Sequence, residues 1–181
     1  MKTLPARFAQ WSSVCGLALL ILSLLGTTGC GGYKLGPTNG APAGARSIQV
    51  NFFQNKTLEP RLVEAVNNAL RKNLQQDGTY RLATENDGDI VVNGTITDFK
   101  RSPVGFQPAD VLTVRDYLVF LTVHVRATER LTGKVVLDRD SYGRTTIRVG
   151  VDMASAERQA VPMLADDLAK RVTSMLVDGA W

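Results

Sequence analysis

The chain has 181 residues, 44% of them hydrophobic and 21% charged, and its 21 basic and 17 acidic side chains leave a formal charge of +4. That balance, with no basic stripe interleaved with aromatic residues, excludes a dedicated nucleic-acid binder. Two cysteines and one histidine are too few to build a metal centre.

Residues 1–29 read as an export signal. Lys2 and Arg7 open it, apolar residues run from Val14 to Leu25, and Gly26 to Gly29 close it with small side chains, the usual n-, h- and c-region order. The apolar part is too short for a membrane span. Cys15 lies inside this segment and is discarded with it, so Cys30 is left without a partner for the disulfides common in exported proteins. The stretch Thr27-Thr28-Gly29-Cys30 is similar to the lipobox of bacterial lipoproteins, in which the thiol receives a diacylglycerol, the signal is cut just before the cysteine and the new amino terminus is acylated. Thr27 departs from the aliphatic residue usual at the first lipobox position, and ordinary cleavage nearby, leaving a free thiol, is the alternative. Two or more acyl chains anchor stably where one binds only marginally, at about 0.8 kcal/mol per buried methylene. Lipidation of Cys30, and attachment to a membrane through it, is the expectation.

Removal of residues 1–29 leaves 152 residues and, with Lys2 and Arg7 gone, a formal charge of +2. Residues 30–46 hold the lipidated cysteine and a tether, GPTNGAPAGAR from Gly36 to Arg46, whose Gly, Pro and Ala offer nothing to a core. Random-coil scaling gives its eleven residues a mean reach of roughly 18 Å. Residues 47–181 are enough for one domain with a single core, with a radius of gyration of about 14 Å.

That domain opens with SIQVNFF (Ser47 to Phe53), where Ile48, Val50 and Phe52 alternate as a half-buried strand. Thr57 is the predicted N-cap of a helix with Pro60 in its first turn, apolar residues at Leu62, Val63, Val66, Leu70 and Leu74, and a stop at Gly78. A short strand at Tyr80 to Ala83 precedes DIVVNGTITDF (Asp89 to Phe99), which sets Ile90, Val92 and Ile96 on one face and Asn93, Thr95 and Thr97 on the other. The longest strand is YLVFLTVHVRAT (Tyr117 to Thr128), with Val119, Leu121, Val123, Val125 and Ala127 as an apolar row and Leu118, Phe120, Thr122, His124 and Arg126 opposite. A turn at Leu131 to Lys134 returns the chain as a strand from Val135 to Val149. Val161, Leu164, Leu168, Val172, Met175 and Leu176 mark a second helix, with Asp166–Lys170 and Asp167–Arg171 pairs on its wet side and Pro162 either starting it or kinking an earlier turn.

These elements predict an α+β fold, a two-layer sandwich with two helices packed on one face of a roughly four-stranded mixed sheet. The other face is left uncovered. It carries Asn93, Thr95, Thr97, Thr122, His124, Arg126, Arg144 and Arg148, a composition suited to water or a polar partner.

Four stretches carry a family resemblance. CGGYKL (Cys30 to Leu35) resembles the CGY-x-L start of the LptE family of lipopolysaccharide-assembly lipoproteins, with one extra glycine. NKTLEPRLVEAVNNAL (Asn55 to Leu70), DFKRSPVGF (Asp98 to Phe106) and YLVFLTVHVRATERLTGKVV (Tyr117 to Val136) follow in family-like order and spacing. The resemblance implies two helices on a small mixed sheet, and an outer-membrane lipoprotein whose domain sits on the periplasmic side as a plug inside the large barrel LptD and helps deliver lipopolysaccharide to the outer leaflet. Set against such a barrel, the uncovered sheet face gives Thr95, Thr122 and Arg126 as candidate barrel contacts. In the family, basic side chains in the loop between the second and third main strands, and after the fourth, meet lipid A phosphates. Here the first loop is SPVGFQPADVLT (Ser102 to Thr113), which holds Asp110 and no base. Lys100, Arg101 and Arg115 flank it, and Arg144 and Arg148 approach the second region, so these five are the candidate lipopolysaccharide-binding residues; ordinary solvated strand-end charges are the alternative.

Two other classes compete. A lipoprotein that activates a peptidoglycan synthase from the outer membrane would account for the anchor, the tether and Ser47 to Leu74, but not for the long hairpin of Tyr117 to Val149. An enzyme would need a constellation that the sequence does not offer: His124 has no nearby Ser, Cys or paired carboxylate, Asp138 with Asp140 and Asp166 with Asp167 read as a strand end and a helix face, and no Gly-rich phosphate loop is present. The expectation is no catalysis and no cofactor beyond the covalent lipid.

Overall fold

The computed structural model describes residues 42–150 and 152–178. Cys30, the export signal and most of the tether lie outside the described residues. In chain order the elements are β1 (Arg46–Val50), β2 (Gln54–Asn55), α1 (Leu62–Asp77), β3 (Tyr80–Leu82), β4 (Ile90–Gln107), β5 (Asp110–Glu129), β6 (Val135–Arg148) and α2 (Met153–Val177). They form the expected α+β arrangement, two helices on a mixed sheet, but with six strands in place of about four. The order is β3-β1-β4-β5-β6, and β2 follows β1 along the same side of β4. The short strand expected at Tyr80 to Ala83 is β3, whereas the unexpected β2 has two residues, too few for a periodicity to register.

β1 buries Ile48 and Val50, as alternation requires, but Phe52 does not continue the row. After Val50 the chain leaves regular pairing, Phe53 turns inward to 3% exposure and Phe52 outward to 68%. Gly94 of β4 explains the exchange, because the Phe53 ring fills the space of a side chain there: a Cβ on Gly94 would stand 2.2 Å from the ring. Outside, the Arg71 guanidinium lies 5.2 Å from the Phe52 ring centre, a cation–π contact on a ring that stays largely exposed.

α1 buries Leu62, Val66, Leu70 and Leu74 at four-residue spacing. It ends at Gly78, whose φ of 75° is left-handed and whose N–H donates to the Leu74 carbonyl at 3.2 Å. Its start corrects the expectation, since Thr57 is not the N-cap and Pro60 precedes the helix. Asn55 holds Thr57 in a side-chain turn, accepting from its N–H at 2.9 Å and its hydroxyl at 2.8 Å while donating to the Glu59 carbonyl at 2.8 Å. A helix cannot begin until that turn is released, at Leu62.

β4 alternates until Ile96 and then slips. Ile96 stands opposite Val123 and Asp98 opposite Thr122, which leaves Thr97 as the extra residue of a bulge. Beyond it the parity reverses, so Phe99 packs toward the core while Asp98, Lys100 and Ser102 join the open face. Ser102 to Thr113, expected as a loop, is strand almost throughout. β4 runs to Gln107, Pro108 and Ala109 make the turn, and β5 begins at Asp110. The Asp110 carboxylate tightens the turn by accepting from the Leu112 N–H at 3.0 Å and from the Thr113 hydroxyl. Pro103 is tolerated because β1 and β2 accompany β4 only as far as Ile96, leaving its outer side an edge that needs no donor.

α2 is longer than its apolar signature. Asp152 is the N-cap, its carboxylate accepting from the Ser155 N–H at 2.6 Å, and Pro162 sits inside the helix on its exposed side. Ala156, Ala160, Leu164, Leu168, Val172 and Leu176 face the core. The helix backbone touches β6 at Gly143, where a Cβ would be 2.3 Å from the Leu164 carbonyl oxygen. Beside that contact Asp167 accepts the Arg144 backbone N–H at 3.0 Å, covering part of the free edge of β6. The predicted Asp166–Lys170 and Asp167–Arg171 pairs form at 2.8 and 3.2 Å.

Candidate functional site

Register places the side chains of the open sheet face in rows across β4, β5 and β6. Asn93, Arg126 and Asp138 form one row and Thr95, His124 and Asp140 the next; beyond the bulge come Asp98, Thr122 and Tyr142, then Lys100, Phe120 and Arg144, then Ser102, Leu118 and Thr146. The face therefore divides. Its lower half is polar and ion-paired, and its upper half sets apolar side chains among bases.

In the lower half the candidate contacts Thr95, Thr122 and Arg126 all lie on the open face, and Arg126 Nη1 approaches Asp138 Oδ2 at 3.5 Å. His124 Nε2 is 2.9 Å from Asp138 Oδ1, and its Nδ1 is 2.8 Å from Asp140 Oδ1. Thr97 belongs to the bulge rather than to the alternating row, and its hydroxyl donates to the Thr122 carbonyl at 3.2 Å.

The five candidate bases separate by their partners. Arg101 pairs with Glu157 of α2. Arg115 and Arg148 share one carboxylate, that of Asp116, at 3.2 and 2.7 Å. The Arg148 hydrogen bond holds the Asp116 carboxyl below its usual range, and the same bond raises the Arg148 guanidinium. Lys100 and Arg144 make no ion pair among the described residues, and they flank Phe120 from either side. Two strand steps of 4.7–4.9 Å set their backbones about 9.5 Å apart. Beside Lys100 lies a shallow open depression of about 390 Å³, lined by Asp98, Lys100, Phe120, Thr122, Asp140 and Tyr142 and not by Arg144. Arg171 of α2 reaches round the sheet edge to stack on Tyr142 at 4.8 Å from the ring centre.

Above the rows the β4–β5 hairpin projects as a two-stranded arm, since β6 accompanies β5 only from Asp116 onward. The arm exposes Val104, Phe106 and Leu112. Phe120 between two bases, and both carboxylates on His124, escaped the sequence reading because both depend on hairpin register. Only Leu131-Thr132-Gly133-Lys134 hinted at it, by fixing where β6 begins.

The sequence model described as "LptE: Lipopolysaccharide-assembly" matches residues 45–176. No curated protein matches by sequence. Three solved structures share the fold at low identity. A hypothetical protein from Chlamydia trachomatis superposes with a TM-score of 0.55 at 10% identity, covering 74% of this chain and 97% of its own. A protein from Xanthomonas campestris gives 0.52 at 12%, covering 80% and 89%, and a minor lipoprotein from Acinetobacter baumannii gives 0.51 at 17%, covering 73% and 92%. With the family match spanning nearly the whole of the described domain, the chain belongs to the LptE family of lipopolysaccharide-assembly proteins.

Proposed function

We propose that this chain is an outer-membrane lipoprotein, anchored through Cys30, whose domain plugs and supports assembly of an LptD-like barrel and assists delivery of lipopolysaccharide to the outer leaflet. The observation that carries the reading is the open sheet face. The helices bury their own apolar stripes against one side of the sheet, and the other side presents Asn93, Thr95, Thr122, His124 and Arg126. Barrel lumens are polar, so a guest needs such a surface rather than a greasy one. A domain with a radius of gyration of about 14 Å fits only a wide barrel.

Within this reading Lys100 and Arg144 are the bases available to lipid phosphates, because Arg101, Arg115 and Arg148 already hold carboxylates. The reading calls for no catalytic step and no cofactor beyond the lipid on Cys30. Purification of a tagged full-length copy in mild detergent tests it, with co-purifying proteins identified by mass. A large outer-membrane barrel is expected. Recovery of a peptidoglycan synthase in its place would favour the rival lipoprotein class and overturn the proposal.

A further inference from the structure

We infer that the free edge of β6 takes up an extended segment of a partner protein by strand addition, and that this segment carries a basic, an apolar and a second basic residue in succession. β6 is the last strand of the sheet on its side. Its register against β5 runs without a break from Leu137 to Arg148, and within that run the Arg144 N–H points away from β5, to Asp167. Backbone groups alternate in direction along a strand, so Asp138 and Asp140 also aim their N–H and C=O groups outward. Neither residue's backbone finds a hydrogen-bond partner on that side among the described residues. α2 sets the limit of the open stretch: it touches β6 at Gly143, and Arg171 crosses the edge to reach Tyr142. A row of unpaired backbone groups of this kind is a template for another strand.

The side chains around the edge specify what that strand must carry. Residues directly opposite Asp138 and Asp140 would stand on the open face, with Cβ atoms about 4.5–5.5 Å away. Both carboxylates are well exposed, at 41% and 74%, and their ion-pair partners Arg126 and His124 lie on the β5 side, so the outward side is left to a newcomer. Opposite charges across a strand pair are favourable and like charges are not, which selects lysine or arginine at both positions. The residue between them would face Arg139 and point toward the helix layer. There a cleft of about 180 Å³ opens between Leu137 and Arg139 of β6 and Ser174, Met175 and Asp178 of α2. Leu137 is buried and Met175 packs against the core, so the cleft offers an apolar floor to a side chain of valine or leucine size. Main-chain bonds that hold the segment, with separate surfaces reading its alternate side chains, are the general means of strand addition.

A second copy of this chain does not meet these requirements. Two β6 edges paired antiparallel about residue 138, 139 or 140 would set carboxylate against carboxylate. The inference goes beyond the proposed function and does not depend on it, because it concerns the sheet edge and not the open face.

Hydrogen exchange of the full-length lipoprotein in mild detergent tests it, with blocked synthetic peptides as probes. A peptide with lysine-valine-lysine at the centre of a threonine background should slow exchange of the Asp138 and Asp140 amides. The glutamate-valine-glutamate peptide should give no such protection, and lysine-aspartate-lysine, whose centre cannot enter the apolar cleft, should protect several-fold less. In Asp138→Asn/Asp140→Asn, affinity for the lysine-valine-lysine peptide should fall about 2- to 30-fold, the loss of two cross-strand charge pairs. No protection of these amides by that peptide, or equal protection by the glutamate peptide, would overturn the inference. So would protection without any peptide, whether it rises with protein concentration, as for a second copy, or disappears when residues 179–181 are removed, as for a segment of this chain.

Discussion

Gly143→Ala is the substitution whose cost the structure determines most closely. The added Cβ would stand 2.3 Å from the Leu164 carbonyl oxygen, 2.9 Å from Leu168 Cβ and 3.0 Å from Leu168 N, where ordinary contact begins at 3.4 Å. Two of those atoms are helix backbone, so no side chain can rotate away, and α2 must move off β6 by about 1 Å against the penalty for overpacking. Leu164 and Leu168 are fully buried, and the shift would also stretch the 3.0 Å bond from the Arg144 N–H to Asp167. Overpacking of a filled core costs about 1–3 kcal/mol, and loss of a backbone bond to a carboxylate adds to it, so the upper end of that range is expected. For a domain of this size that is a fall in melting temperature of roughly 8–15 °C. The assay is urea unfolding of the purified lipoprotein followed by circular dichroism, with Gly150→Ala as control, since a Cβ there meets nothing within 4 Å and its φ is ordinary. The control should lie within about 0.5 kcal/mol of wild type. Equal stability of the two variants would refute the close approach of α2 to β6.

Asp89 accepts from the Ser47 N–H and hydroxyl, both at 2.8 Å, and these bonds, the backbone one foremost, hold its carboxyl below the ordinary 3.8. A depressed carboxyl stabilises the fold in full above its unfolded value and loses that contribution as pH falls through the folded one. Asp89→Asn should therefore be less stable than wild type at neutral pH and converge on it in acid, as followed by unfolding at a series of pH values; a gap independent of pH would contradict the assignment. A Lys100→Ala/Arg144→Ala double variant should bind lipopolysaccharide about 2- to 30-fold more weakly, at about 0.2–1 kcal/mol for each exposed ion pair lost, and with a flatter salt dependence. The matched Arg101→Ala/Arg115→Ala variant should bind normally in the same titration. Cys30→Ala should abolish acyl labelling and release the protein from the membrane fraction, and labelling that survives would exclude Cys30 as the anchor.

Much of this architecture was legible because burial imposes periods. Val119 to Ala127 alternate without interruption and are fully buried, and Leu62 to Leu74 keep helical spacing. The errors have local causes that periodicity does not carry. Phe52 and Phe53 exchanged places because Gly94, distant in sequence, leaves room for a ring. Thr97 became a bulge, and one extra residue reversed the side chains of β4 from Asp98 to Pro103, which is how Lys100 came to share a face with Phe120. Ser102 to Thr113 looked like a loop because proline and glycine commonly mark one, yet a strand with a free edge accepts both. The N-cap at Asp152 lay nine residues ahead of the apolar run, hidden among alanines. For the candidate site, the sequence named Asn93, Thr95, Thr122, His124 and Arg126 on the open face, whereas the places of Asp98, Asp138, Asp140 and Tyr142 on it, and the pairing that leaves Lys100 and Arg144 without carboxylate partners, needed three-dimensional register.

The central claim is that the open sheet face rests against the inside of a barrel. Photo-crosslinking amino acids at Thr95, Thr122 and Arg126, in cells carrying the full-length lipoprotein, test it most directly. The account predicts that all three positions capture one large outer-membrane barrel of the LptD type; capture of peptidoglycan-synthase components only, or of no barrel by a folded protein, would contradict it.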